Sequence, residues 1–195
     1  MTSELSRRIL RAVDDQGVLL VHDRVLPSVT GLVVGEPIAG SWWSHPMANA
    51  IYTALGELDD AVATVKLVTK KDTLVARSLW PDLVAIGQAR SEAQLRGLGP
   101  ASLDLLDDIE AAVGPLIVDR SQADLAKDLA LRLLVIADEV HTDAGHHAKA
   151  YSSWSRWATT RAVAGTDGDA ERARRRFEDC VASWPATKRS KLLPW

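Results

Sequence analysis

Residues 9–21, ILRAVDDQGVLLV, and residues 106–118, LDDIEAAVGPLIV, spell one local structure twice. Each carries apolar residues at helical spacing, meets a glycine (Gly17, Gly114) and continues as a short apolar run. Glycine stops a helix because it enters the left-handed backbone region without a Cβ clash. The runs that follow, 18–21 and 116–118, suit short buried strands. Outward from the first stretch, Leu5, Ile9, Leu10 and Val13 share a face and Ser3 stands where a cap belongs, which predicts a helix over 3–15. Residues 22–40 hold Pro27, Gly31, Gly35, Pro37 and Gly40 and read as loop with one short strand at 32–34. Ser44, His45 and Pro46 open a second helix whose apolar stripe is Ala50, Ile51, Ala54, Leu55 and Leu58. Runs 62–68 and 73–77 flank a polar tetrapeptide, which predicts a β-hairpin with a basic tip. Trp80 and Pro81 start a helix running to about Arg96.

Outward from the second stretch the order recurs. Residues 97–100, GLGP, punctuate the chain, and a helix is predicted over 101–113 with Leu103, Leu106 and Ile109 inward. A strand at 116–118, a helix over 121–131, an apolar run at 133–136, a turn at 141–147 and a return over 148–157 follow. Ala170, Ala173, Phe177, Cys180, Val181 and Trp184 line one face of a final helix. Helix, strand, helix, hairpin is the skeleton of a winged helix, and internal repeats are a primary fold signal. The expected fold is therefore α+β: two tandem winged-helix-like units, 1–97 and 98–165, then a basic C-terminal helix and tail, 166–195. The span from Val118 to Leu134 leaves little room for two helices, so the second recognition helix is expected to be trimmed or merged.

Residues 133–154, LLVIADEVHTDAGHHAKAYSSW, resemble the last winged-helix segment of a bacterial family of tandem winged-helix proteins. That family includes DNA glycosylases acting on alkylated and cross-linked bases. The resemblance implies the fold and an association with DNA. It does not carry the chemistry across: those enzymes use a Gln-x-Gln catalytic motif, whereas Gln16, Gln88, Gln94 and Gln122 stand apart here.

The whole chain sets bounds on function. Its 195 residues suit one large domain or two small ones, and 47% apolar with 25% charged residues is ordinary for a folded protein. No apolar run is long enough to span a bilayer, and the N-terminus lacks the apolar core of a signal peptide. Cys180 is the only cysteine, which excludes an internal disulfide and a cysteine zinc cluster. A cytoplasmic protein, monomer or homodimer, without a membrane partner is expected. The net charge is −3, but it is unevenly spread. Residues 61–90 hold five cations against two carboxylates, residues 151–195 nine against five, and residues 91–150 five against eleven. Such polarity fits a basic face for a polyanion, or chance.

Four groups of residues are candidates for function. Lys66, Lys70, Lys71 and Arg77 lie on the hairpin, where they either contact phosphates or simply guard a sheet edge. Arg172 and Arg175, with Arg174 and Arg176, lie on the last helix, where they either grip a phosphate or pair with Glu171, Glu178 and Asp179. Trp42, Trp43 and His45 sit at a helix start and form either a stacking pocket or core. His141, Asp143, His146 and His147 crowd one turn and offer a weak metal set or a solvated loop tip. No glycine-rich phosphate loop, Gly-x-Ser-x-Gly elbow, His-Glu-x-x-His or Cys-His dyad is present, and no cofactor is expected. The expectation is a non-catalytic winged-helix protein associated with nucleic acid, in repair or transcription. The alternatives are a protein-interaction module and a small hydrolase with a Trp/His pocket.

Overall fold

The computed structural model describes residues 2–36, 38, 40–141, 147–165, 168–185 and 192–195. The chain gathers into two compact units, Met1–Trp80 with Arg174–Pro194, and Pro81–Ala173 with Trp195. The glycine-proline punctuation at 97–100 lies inside the second unit.

In the first unit, α1 (Glu4–Gln16) starts where Ser3 Oγ accepts the Ser6 N–H and ends at Gly17, whose φ of 77° lets its N–H reach the Val13 carbonyl at 2.8 Å. A Cβ at Gly17 would also fall 2.6 Å from Cys180 Sγ, so both conformation and space demand glycine there. The C-terminus of α3 (Ala48–Gly56) is tied to the start of α1. Glu57 Oε2 accepts from Ser6 Oγ at 2.6 Å and from the Ser3 N–H at 2.7 Å. These donors, the Ser6 hydroxyl foremost, hold the Glu57 carboxyl down to about 2.

Strand β1 (Val18–Leu20) and strand β2 (Val62–Lys66) both pair antiparallel with β3 (Asp72–Ala76), giving the sheet order β1-β3-β2. The hairpin therefore forms as expected. Residues 32–34, expected as strand, instead end helix α2 (Val29–Val34). Ser28 Oγ accepts the Gly31 N–H at 3.1 Å, and Gly35 closes the helix at a φ of 83°. Two good caps outweigh the β preference of Val29, Thr30 and Val33. The second expected helix also starts later. Residues 42–44 form a 3-10 turn capped by Ser41, and α3 follows. Ile9, Val13, Leu19, Val29, Trp42, Ile51, Leu58 and Leu74 make the core.

In the second unit, α4 (Trp80–Gln88) does not run on to Arg96. Arg90, at a φ of 44°, breaks it, and α5 (Glu92–Leu95) restarts from a capping box of Ser91 and Gln94. Buried Gln94 donates from Nε2 to the carbonyls of Ile86 (3.2 Å) and Arg132 (3.0 Å). Arg132 Nη1 returns bonds to the carbonyls of Gln94 (3.0 Å) and Arg96 (2.8 Å). Next come α6 (Pro100–Ala111), β4 (Leu116–Ile117), α7 (Ala123–Leu131), β5 (Ile136–His141), β6 (His147–Ser152) and α8 (Trp154–Thr160). Leu105, Leu106 and Ile109 of α6 point inward, but Leu103 is exposed, contrary to expectation. The segment between β4 and β5 holds a single α-helix, preceded by a 3-10 turn at 120–122. The sheet order is β4-β6-β5. Trp154 is buried, donates from Nε1 to the Leu133 carbonyl at 2.7 Å, and lies against Gly87. Helix α9 (Ala170–Val181) leaves the second unit after Ala173, and its remainder, with Phe177 and Val181 buried, belongs to the first.

The protein is thus α+β, with two three-stranded antiparallel sheets among the described residues. In both sheets the third strand in chain order lies in the middle. No helix among the described residues is long and apolar enough to cross a membrane.

Candidate functional site

The hairpin tip is built by residues 67–71 between β2 and β3. Thr69 (φ 50°, ψ 29°) and Lys70 (φ 60°) both take left-handed backbone, and the Lys71 N–H closes the turn on the Val68 carbonyl at 3.0 Å. These are the signs of a type I′ turn, whose twist matches that of the flanking strands but whose positions favour asparagine and glycine. Thr73 Oγ1 braces it, accepting from the Val68 N–H at 3.0 Å and donating to the Lys71 carbonyl at 2.9 Å.

The four hairpin cations meet different fates. Lys66 pairs with Asp72 at 2.7 Å, directly across the last register position of the hairpin. Lys71 pairs with Asp23 at 2.6 Å. Burial pushes the Asp23 carboxyl up, but the Leu26 N–H, the Lys71 ammonium and the Val25 N–H together hold it below the ordinary carboxylate range. Arg77 lies over the Trp80 ring, 4.9 Å from its centroid. Lys70 is exposed and makes no ion pair among the described residues. Two of the four charges are thus neutralised locally, which lowers the field at the tip.

Upstream of α3, the tryptophan pair divides. The 3-10 turn advances each residue by about 120°, so neighbours cannot face the same way. Trp42 goes into the core at 9% exposure, and Trp43 stays out at 57%. The rings stack with centroids 4.2 Å apart. Trp43 also meets Tyr52, itself 48% exposed, at 5.5 Å, and Met47 is exposed nearby in sequence. His45 is occupied in local structure, its Nδ1 accepting the Met47 N–H at 3.1 Å. Of the expected Trp42–Trp43–His45 group, Trp42 belongs to the core and Trp43 to an aromatic surface, while the two cavities described below are lined by other residues. Helix α3 carries Tyr52 and has neither lysine nor arginine.

Arg172 and Arg175 are exposed, one turn apart on α9. His141 and His147 occupy facing register positions of β5 and β6, while Asp143 and His146 lie outside the described residues. Among the described residues no three histidines, cysteines or acids assemble as a metal site.

One polar chain escaped the sequence reading. His22 Nδ1 lies 2.9 Å from Thr30 Oγ1, which lies 3.2 Å from Ser28 Oγ. Serine two residues before threonine at the head of an apolar run was the available signal, and its meaning is a cap. Thr30 and Ser28 are buried, and Ser28 Oγ accepts the Gly31 N–H, so the chain locks the start of α2. The two cavities lie in the first unit. One, of about 620 Å³, is lined by Asp15, Ser78, Cys180 and Trp184 among others. The other, of about 500 Å³, lies between α1 and α2, with Leu26, Leu32 and Gly35 in its wall. The first places Ser78, Ser183 and Cys180 in one wall with the carboxylates of Asp15 and Asp179.

No family model, no curated protein and no solved structure matches the chain.

Proposed function

We propose that the protein is a non-catalytic tandem winged-helix protein that works by docking another protein. The docking face is the aromatic surface of Trp43 and Tyr52. The observation that carries this is the exposure of Trp43 on a helix-capping turn, held flat by the buried ring of Trp42. Its stack on a core residue means that little rotamer freedom is lost on binding, and exposed tryptophan and tyrosine are the residue types richest in interface energy. In a winged helix, α3 occupies the place of the recognition helix. Here that helix presents an aromatic ring and no cation, which suits a protein better than a phosphate backbone. The shared strand order of the two sheets supports the tandem reading.

The test compares wild type with Trp43→Ala/Tyr52→Ala. Sedimentation equilibrium over a concentration series probes a second copy, and affinity capture followed by a purified rebinding assay probes other proteins. The expected result is an association lost in the double substitution at unchanged Tm. Association that survives the double substitution, or binding of a DNA duplex alone, would overturn the reading.

A second reading, nucleic-acid binding, is favoured by Lys70, exposed at the turn without an ion pair, and by exposed Arg175. On that reading the hairpin is a phosphate-contacting wing. It is tested by fluorescence anisotropy of a labelled duplex at two salt concentrations. Loss of the Lys70 contact in Lys70→Glu is expected to flatten the slope of log affinity against log salt by about one.

A further inference from the structure

The hairpin tip is not free: a distant segment of the chain holds it. The Thr69 N–H donates to the Leu192 carbonyl at 2.7 Å, across more than a hundred residues of sequence. Leu193, the next residue, is buried at 7% exposure and belongs to the same compact unit as the tip. The tip itself is an unfavourable turn for its residues. Thr69 is β-branched and sits at positive φ, Lys70 follows it there, and the Thr69 hydroxyl oxygen is buried without a hydrogen-bond partner among the described residues. Backbone held this way persists only where its surroundings over-determine it. The Leu192 contact is one such determinant, and it satisfies the Thr69 N–H.

We infer that the segment 192–194 is a strap that keeps the hairpin tip in its left-handed turn. With the strap seated, the turn is fixed and the Thr69 N–H is satisfied. Without the strap, nothing in the preferences of threonine and lysine favours the turn. The device is independent of which partner the aromatic surface takes.

Amide hydrogen exchange of the full chain, read residue by residue by NMR, tests it through Leu193→Asp, which places a charge where the strap is buried. Protection of the Thr69 and Lys71 amides is expected to fall at least about tenfold, while Leu74 and Val75 in β3 keep theirs and so report an intact sheet. The second arm adds Thr69→Asn/Lys70→Gly, which supplies residues at home in the turn. In that background Leu193→Asp is expected to expose the Thr69 amide but leave Lys71 protected, because the turn no longer needs the strap. Unchanged Thr69 protection in Leu193→Asp overturns the strap. Equal loss at Lys71 in both backgrounds overturns its role in holding the turn. A collapse of protection at Leu74 and Val75 together with the tip also counts against it, because the segment would then support the whole unit.

Discussion

Glycine to alanine inside a helix ordinarily stabilises by about 1 kcal/mol, because glycine has more unfolded-state freedom to lose. At Gly87 in α4 the sign is expected to reverse. A Cβ built there lies 2.2 Å from Trp154 Cδ1 and Nε1 and 2.5 Å from Cε2. Carbon atoms pack at about 3.5–4.0 Å, so the indole must retreat by more than about 1 Å. It has nowhere easy to go: Trp154 is buried, edge-on to Trp157 with centroids 5.7 Å apart, and bonded to the Leu133 carbonyl. Overpacking of a core costs about 1–3 kcal/mol. Pulling the indole off a buried carbonyl costs about another 1–3 kcal/mol. Set against the helix gain, Gly87→Ala is expected to destabilise by about 1–5 kcal/mol, or to lower Tm by about 2–20 °C for a chain of this size. The assay is urea denaturation and thermal melting beside Gly56→Ala. Gly56 ends α3, and a Cβ there meets nothing within 4 Å, so that variant is expected to be neutral or stabilising by about 0.5 kcal/mol. If Gly87→Ala matches or exceeds wild-type stability, the packing of Trp154 on Gly87 is not as described and the reasoning fails.

Three further outcomes are expected. The folded pKa of Glu57, about 2, lies below its ordinary 4.5, so its contribution is fully present above about pH 4.5 and is lost as pH falls towards 2. Glu57→Gln should therefore be less stable than wild type at pH 7, and the difference in urea midpoint should shrink steadily between pH 4.5 and 2.5; a pH-independent difference would sink the idea. Thr69→Asn/Lys70→Gly should stabilise by about 1 kcal/mol by relieving two left-handed non-glycine residues, read as a raised urea midpoint; a lower midpoint would show that those side chains contribute more than the turn costs. Lys71→Ala should cost no more than about 1 kcal/mol at low salt and less at high salt, because its ammonium is half exposed although Asp23 is not.

What the sequence disclosed and what it hid follow from range. Helix α1, its serine cap and its glycine stop were readable because every determinant lies within a turn of the residue it acts on. The hairpin was readable from its alternating β-branched residues, and the single helix between β4 and β5 from the shortness of that span. Helix α2 was misread because its valines favour strands, and its two caps decide only if a helix is already suspected. The break at Arg90 escaped because the bonds that exploit it join Gln94 to Arg132, which are distant in sequence. At the candidate site the place was legible but the charge was not. Counting lysines gives a basic tip, yet Asp23 reaches Lys71 from 48 residues away, which no local pattern reveals. Lys66 and Asp72 face each other across the hairpin, but that needs the register, which a lysine count does not give. Adjacent tryptophans likewise gave no hint that one would be core and the other surface; that depends on the 3-10 geometry between Ser41 and His45.

The first unit is assembled from two pieces, Met1–Trp80 and Arg174–Pro194, with all of the second unit but Trp195 spliced between them. During synthesis at about 5–20 residues per second, its opening piece therefore waits some tens of seconds or less, on the order of 5–20 s, before Cys180 emerges to lie against Gly17. Throughout that interval the second unit can complete itself while the first remains a partial core. The protein is accordingly expected to mature inside out, the unit made later in the chain folding earlier, and a ribosome stalled between residues 81 and 173 should display an N-terminal segment open to chaperones.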